Sequence, residues 1–160
     1  MQLSEEEEAE TLKKFRVNIY AASTIKAPAR REAKAMWIVE FVRDANPFDP
    51  VIRKGFIEFG ETTEDAVILT ALAEALGILT KECEICIFTK CRGVFSTLET
   101  RRYEGWRANK WRNSYQNMVK NAELWEILIG FLEKHTWSAS QESHSFEALM
   151  ESELKKWPKV

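Results

Sequence analysis

The chain has 160 residues, enough for one domain with its own core. Hydrophobic residues make up 45% and charged residues 30%, and the formal net charge of −2 excludes a global field that would recruit nucleic acid. Three cysteines, an odd number, argue against a disulfide framework, and no apolar run is long enough to span a bilayer. The N-terminus lacks a basic start followed by an apolar stretch, so the sequence predicts no signal peptide, no membrane partner and a cytoplasmic protein.

In chain order, Ser4 followed by Glu5 to Glu8 reads as an acidic helix start or tail, and residues 1–14 are set apart from a domain over 15–160. Val17, Ile19 and their neighbours form a first strand, running into Ala21, Ala22 and Ser23. Thr24 to Arg31 is a basic turn. Ala35 to Val42 is a second strand. Asn46 to Pro50, which holds Pro47 and Pro50, must be a loop. Gly55 to Phe59 is a third strand. Leu69, Leu72, Ala73 and Leu76 then recur at helical spacing, with Thr62 or Thr63 as cap and Glu64 and Asp65 in the first turn. Cys83 to Thr89 is a compact buried strand, and a helix follows from Gly93 to Tyr103. A long helix from Asn121 to Lys134 turns Leu124, Ile127, Leu128, Phe131 and Leu132 inward. A short strand near Trp137 and a helix over Phe146 to Lys156 complete the pattern. Three sequential strands pair most simply as an antiparallel meander, and strands entered from helices suit parallel addition. The expectation is a five-stranded mixed α/β sheet flanked by helices.

Charge is unevenly spread. Between Arg101 and Lys120, the basic Arg101, Arg102, Arg107, Lys110, Arg112 and Lys120 stand against Glu104 alone. Trp106 and Trp111 are interleaved with them. Such a segment can grip the phosphates and sugars of a duplex, or the tryptophans can simply fasten a protrusion to its helix while the cations stay solvated.

The stretch Glu61 to Leu76 resembles the T-N-N-x-A-E-x-x-A-L helix of type I ribonuclease H, and Ile87 to Cys91 resembles its strand ending in Y-T-D-S. The most specific likeness runs from Gly105 to His135. There Trp106, Asn109, Trp111, Val119, Lys120, Asn121, Glu123, Leu124 and Trp125 are similar to that family's basic handle, W-x-x-N-G-W-K, and the V-K-N-x-E-L-W that follows it. The resemblance covers the chain after Phe15 and implies a ribonuclease H-like fold. It also implies cleavage of the RNA strand of RNA–DNA hybrids with two magnesium ions, held by converging carboxylates about 4 Å apart.

The carboxylates themselves are missing. The four positions that match them carry Ala22, Val67, Lys90 and, loosely, Ser152, where Glu151 or Glu153 could be meant. Val67 is expected to point away from the Leu69, Leu72 and Leu76 stripe, as a site residue would. Glu74 on that face lies about 10 Å further along the axis, too far to serve the same metal. Lys90 places a cation where a metal would sit; in a carboxylate-free pocket it could hold one phosphate, or merely snorkel at the strand end. No metal or other cofactor is expected, and magnesium only if a rearranged site is active.

The resemblance further implies nucleic-acid contacts at Thr62, Arg101, Arg102, Trp106, Arg107, Asn109, Lys110, Trp111 and Arg112, to which the phosphate reading adds Lys90. Against this, Glu64 takes the place of an asparagine that contacts the hybrid in the family, and would repel phosphate. Cys83 and Cys86, three apart on a strand, point to opposite faces and do not suit a zinc site. His135 reads as a structural helix-end cation, and His144 as a surface residue where the family has a mobile histidine. Three readings follow: a catalytically silent module that binds RNA–DNA hybrid or duplex through its handle, a protein-interaction or structural module, and an active hybrid nuclease with a rearranged metal site.

Overall fold

A computed structural model describes residues 15–42 and 51–156. The expected acidic helix or tail over 1–14 and the loop over Asn46 to Pro50 lie outside the described residues. The strands are β1 (Phe15–Ser23), β2 (Arg31–Phe41), β3 (Val51–Thr62), β4 (Cys83–Phe88) and β5 (Thr136–Ser140). They form one sheet in the order β3-β2-β1-β4-β5. β1, β2 and β3 pair antiparallel, whereas β4 joins β1 and β5 joins β4 in parallel. This is the mixed α/β sheet that the strand spacing predicts.

The helices are α1 (Glu64–Gly77), α2 (Arg92–Thr100), α3 (Arg102–Ala108), α4 (Ala122–Leu132) and α5 (Glu147–Lys156). Period-two alternation sends Val17, Ile19 and Ala21 of β1 and Ile85 and Ile87 of β4 to one face, where α1, α2 and α4 cover them. Tyr20, Met36 and Ile38 face the other way and meet Met150 and Leu154 of α5. α1 opens on Thr63, whose hydroxyl accepts the Ala66 N–H.

Three expectations about the helices change. The single helix from Gly93 to Tyr103 is two, broken at Arg101, whose backbone turns left-handed (φ 55°). In α4 the inward residues are Trp125, Leu128, Ile129 and Leu132, with Leu124 and Phe131 half-buried against them, while Ile127 is 51% exposed. Val67 does not point outward: it is fully buried in the main core. The reason is that α1 lies between the sheet and α4, so its buried arc runs through Val67, Ile68, Leu69, Ala71, Leu72, Ala75 and Leu76 rather than along one stripe.

Candidate functional site

Two parallel neighbours, β1 and β4, end side by side, and β1 is also where the sheet changes from parallel to antiparallel pairing. Crevices at the carboxyl ends of strands at such a switch are the usual ligand sites of open α/β sheets. Here the crevice is a cavity of about 490 Å³. Ala21, Ala22, Ile25, Ile68, Met150 and Leu154 give it an apolar floor, and charged groups from five chain segments stand around it.

Those charges overturn the expectation of a carboxylate-free pocket. Glu64 from α1, Glu142 from the loop after β5, and Glu147 and Glu151 from α5 all line the cavity. Lysines answer two of them. Lys26 Nζ lies 3.3 Å from Glu151, and Lys90 Nζ lies 3.7 Å from Glu147. Lys90 also donates to the Gln141 carbonyl at 2.6 Å and to Ser143 Oγ at 3.4 Å. It therefore ties the end of β4 to the segment leading into α5 instead of standing in an apolar hole. Of the α5 residues considered, Glu151 borders the cavity, whereas Ser152 borders a separate surface depression.

One convergence is not anticipated from the sequence. Glu64, Asp65 and Cys91 place a ligand atom each within 4.8 Å of one another. The Cys91 thiol donates to Asp65 Oδ1 at 3.2 Å. Burial, and after it the charge of Asp65, holds that thiol above its ordinary range; burial followed by Asp65 also raises the Glu64 carboxyl. Gly93 makes the arrangement feasible, because a Cβ there would stand 2.7 Å from an Asp65 carboxylate oxygen. Cys91 follows Lys90 directly, and Asp65 lies two residues before Val67, so the signal is adjacent to positions already singled out.

His144 is half-buried rather than a free surface residue. Its ring lies 4.3 Å from that of Tyr20 and 5.6 Å from that of Phe88, and Nδ1 accepts the Phe146 N–H at 3.2 Å. Burial lowers its pKa, with Glu147 and Glu40 opposing and Lys90 assisting. A folded-state pKa below the ordinary value of about 6.5 means that the unfolded chain binds the proton more tightly. The histidine's contribution is complete above that ordinary value and is lost as the pH falls through the folded one. Urea unfolding followed from about pH 7.5 to about pH 5 should show stability declining, and His144→Phe should flatten this part of the decline. An identical slope in the variant would contradict the assignment. His135 has the structural role expected of it: its Nδ1 accepts the Cys83 N–H at 2.9 Å and fastens the start of β4.

The basic segment forms α3 and the loop after it. Trp106 and Trp111 are half-buried against the core, and the Trp111 indole donates to Glu126 at 2.7 Å. Arg107 pairs with both Glu126 and Glu133 of the α4 region. Arg101 lies over the Trp137 ring at 4.8 Å and pairs with Glu104, and Arg102 lies over Trp106. Asn109 donates to the Arg112 carbonyl, while Lys110 and Arg112 are exposed. Thr62 ends β3, half-buried and away from the cavity lining.

Residues 15–142 match the family model for RNase H. This chain belongs to the ribonuclease H family. Ribonuclease H of Clostridium botulinum is 33% identical over 78 residues, 49% of this chain and 52% of that protein. Ribonuclease HI of Rickettsia conorii is 40% identical over 76 residues, 48% of this chain and 49% of that protein. The matched region spans about half the length of these curated relatives. Among solved structures, LC9-RNase H1, described as a type 1 RNase H with the type 2 active-site motif, superposes with a TM-score of 0.68 at 19% identity, over 88% of this chain and 69% of that one. RNase H1 of Halobacterium salinarum gives 0.56 at 15% identity, over 88% and 96%. At these identities the structural likeness concerns the fold. Of the positions that the resemblance singles out, Ala22 and Lys90 line the cavity, as do Glu64 and Ile68, while Val67 is buried in the core and does not line it.

No helix of the described residues is long and apolar enough to cross a membrane.

Proposed function

We propose that this chain is a ribonuclease H-family domain that binds RNA–DNA hybrid or related duplex through α3 and the loop after it, without two-magnesium cleavage. The observation that carries the second half is the pairing of Ala22 and Lys90 at the adjacent ends of β1 and β4. Two magnesium ions in this position need hard oxygen ligands on both strand ends. A methyl group offers none, and an ammonium already bonded to Gln141 and Glu147 repels a cation. Glu64, Asp65 and Cys91 do not make up the loss. Glu64 and Cys91 line the same cavity, but one Asp65 oxygen is engaged by the thiol, and a protonated thiol is not a magnesium ligand. The donor set does not fit the family's metal pair, and no catalytic step is derived through it.

Binding is supported by how the charges of the basic segment are spent. Arg107 is neutralised by two glutamates and serves to fasten α3 to α4. Arg102, Lys110 and Arg112 are exposed and form no ion pair with a described residue, which leaves them for phosphates. The resemblance to hybrid-cleaving enzymes makes the hybrid the first ligand to try. Fluorescence anisotropy with a labelled hybrid at two salt concentrations should show affinity falling as salt rises. Replacing Lys110 and Arg112 together with alanine should weaken binding and lower the slope of log affinity against log salt by about one for each phosphate that is no longer neutralised. An absence of hybrid binding at low salt would favour a domain kept for protein contacts. Magnesium-dependent cleavage abolished by Glu64→Gln would instead establish a rearranged active site.

A further inference from the structure

The loop that follows α3 is held in a shape its sequence does not favour. Lys110, Trp111, Gln116 and Asn121 have φ of 56°, 62°, 64° and 62°, the left-handed region that disfavours any residue with a Cβ. Such conformations persist only where the surroundings impose them, and they concentrate at binding sites. The surroundings here are specific. The Val119 N–H donates to the Trp111 carbonyl and Arg112 bridges to Met118, closing the base of the loop. Asn113 Oδ1 accepts the N–H groups of both Tyr115 and Asn117, and the Arg112 guanidinium donates to the Gln116 carbonyl at 2.9 Å. The base is anchored in turn by the bond from Trp111 to Glu126.

What this scaffold presents is an aromatic ring to solvent. Tyr115 is 84% exposed, and Met118 beside it is 57% exposed. A tyrosine fixed in the open at the end of a braced loop meets no core and closes no cavity. Along the chain on either side of it, residues 105–122 include Arg107, Lys110, Arg112 and Lys120 and contain no acid. Arg107 is neutralised by α4, so the cations left without an acid among the described residues are those of the loop. A preformed aromatic platform flanked by lysine and arginine is the combination that binds single-stranded nucleic acid, the ring stacking on a base and the cations meeting the phosphates on either side. An unpaired overhang offers such a base; a blunt duplex keeps its bases paired and stacked within.

We propose that this loop is a finger for unpaired bases, in which Tyr115 stacks on one base of a single-stranded segment while Lys110 and Arg112 hold its neighbouring phosphates. This rests on the reading that the chain binds nucleic acid, and extends it from duplex to single strand. The test uses the full chain and three labelled probes: a blunt RNA–DNA hybrid, the same hybrid with a short oligothymidine overhang at either end, and oligothymidine alone. The wild type should bind an overhang hybrid more tightly than the blunt one. Tyr115→Ala should remove that gain, about tenfold, so that overhang and blunt hybrids bind the variant equally, since one stacked base is worth roughly that factor. Tyr115→Phe should retain the gain, because the ring and not the hydroxyl stacks. Oligothymidine bound by the wild type and no longer bound by Tyr115→Ala, with the blunt hybrid unbound, would uphold the finger and refute the duplex reading. Blunt-hybrid binding with no gain from an overhang would overturn the finger alone, as would equal losses for Ala and Phe. Competition for the overhang by polyglutamate as effective as by oligothymidine would also overturn it, since the loop would then read polyanions of any kind. Binding to none of the probes would overturn both.

Discussion

Replacing Trp125 with alanine should lower the free energy of unfolding by about 3–5 kcal/mol, the usual cost of emptying a buried indole site. Trp125 is 4% exposed and belongs to the main core. Its ring lies nearly parallel to that of Tyr103, with centroids 6.3 Å apart, and Tyr103 in turn meets Trp137 of β5. The residue therefore joins α4 to α3 and, through Tyr103, to the edge strand. Neighbours on three elements cannot collapse together into the space it leaves. Urea-induced unfolding followed by circular dichroism measures the loss, and a change below about 1 kcal/mol would show that Trp125 is not a keystone. Because Tyr103 is the buried residue of α3, removing its partner should also weaken hybrid binding by loosening the seat of the basic segment.

Gly55→Ala should destabilise the fold by about 1–3 kcal/mol through overpacking, although it adds one methyl group to a strand, where alanine is ordinarily the better residue. Gly55 pairs directly with Trp37 across β3 and β2. A Cβ at Gly55 would stand 2.4 Å from the Trp37 indole. The indole is not free to retreat: it is 5% exposed and its Nε1 donates to Glu74 of α1 at 3.1 Å. A glycine inside a strand here marks the close approach of a large ring. Gly60→Ala in the same strand is the control. Nothing lies within 4 Å of a Cβ there, so its effect should stay within about 0.5 kcal/mol. Equal effects of the two substitutions would contradict the close approach.

The sheet is legible in the sequence because its strands announce themselves twice, by alternation and by spacing. Val17, Ile19 and Ala21 alternate with Asn18 and Tyr20 of the opposite face, and short connections among the first three strands leave little choice but a meander. The handle is legible for another reason. Trp106, Trp111 and Trp125 sit at fixed offsets that the packing of α3 on α4 requires. What fails is the helical wheel. It assumes one buried stripe, and α1, pressed between sheet and helix, buries most of its circumference, so the wheel puts Val67 on the wrong side. Ile127 fails in the opposite sense: an apolar residue at a plausible phase lies exposed, because Trp125 and Ile129 set the inward face of α4. The break at Arg101 is invisible to periodicity, since the left-handed turn is taken by an arginine rather than a glycine. The charged rim of the cavity is hidden for a topological reason. Glu64, Glu142, Glu147 and Glu151 come from separate parts of the chain, and only the closing of α5 over the ends of β1 and β4 assembles them beside Lys26 and Lys90. Lys26 and Lys90 pair with Glu151 and Glu147 of α5 at the cavity rim.

Whether the hybrid is held and not cut is tested most directly by incubating the full chain with a hybrid labelled on its RNA strand in the presence of magnesium, isolating the retarded complex on a native gel, and running the extracted RNA on a denaturing gel. Full-length RNA recovered from the complex is the expected result. Shortened RNA that appears with magnesium and disappears with a chelator would contradict it.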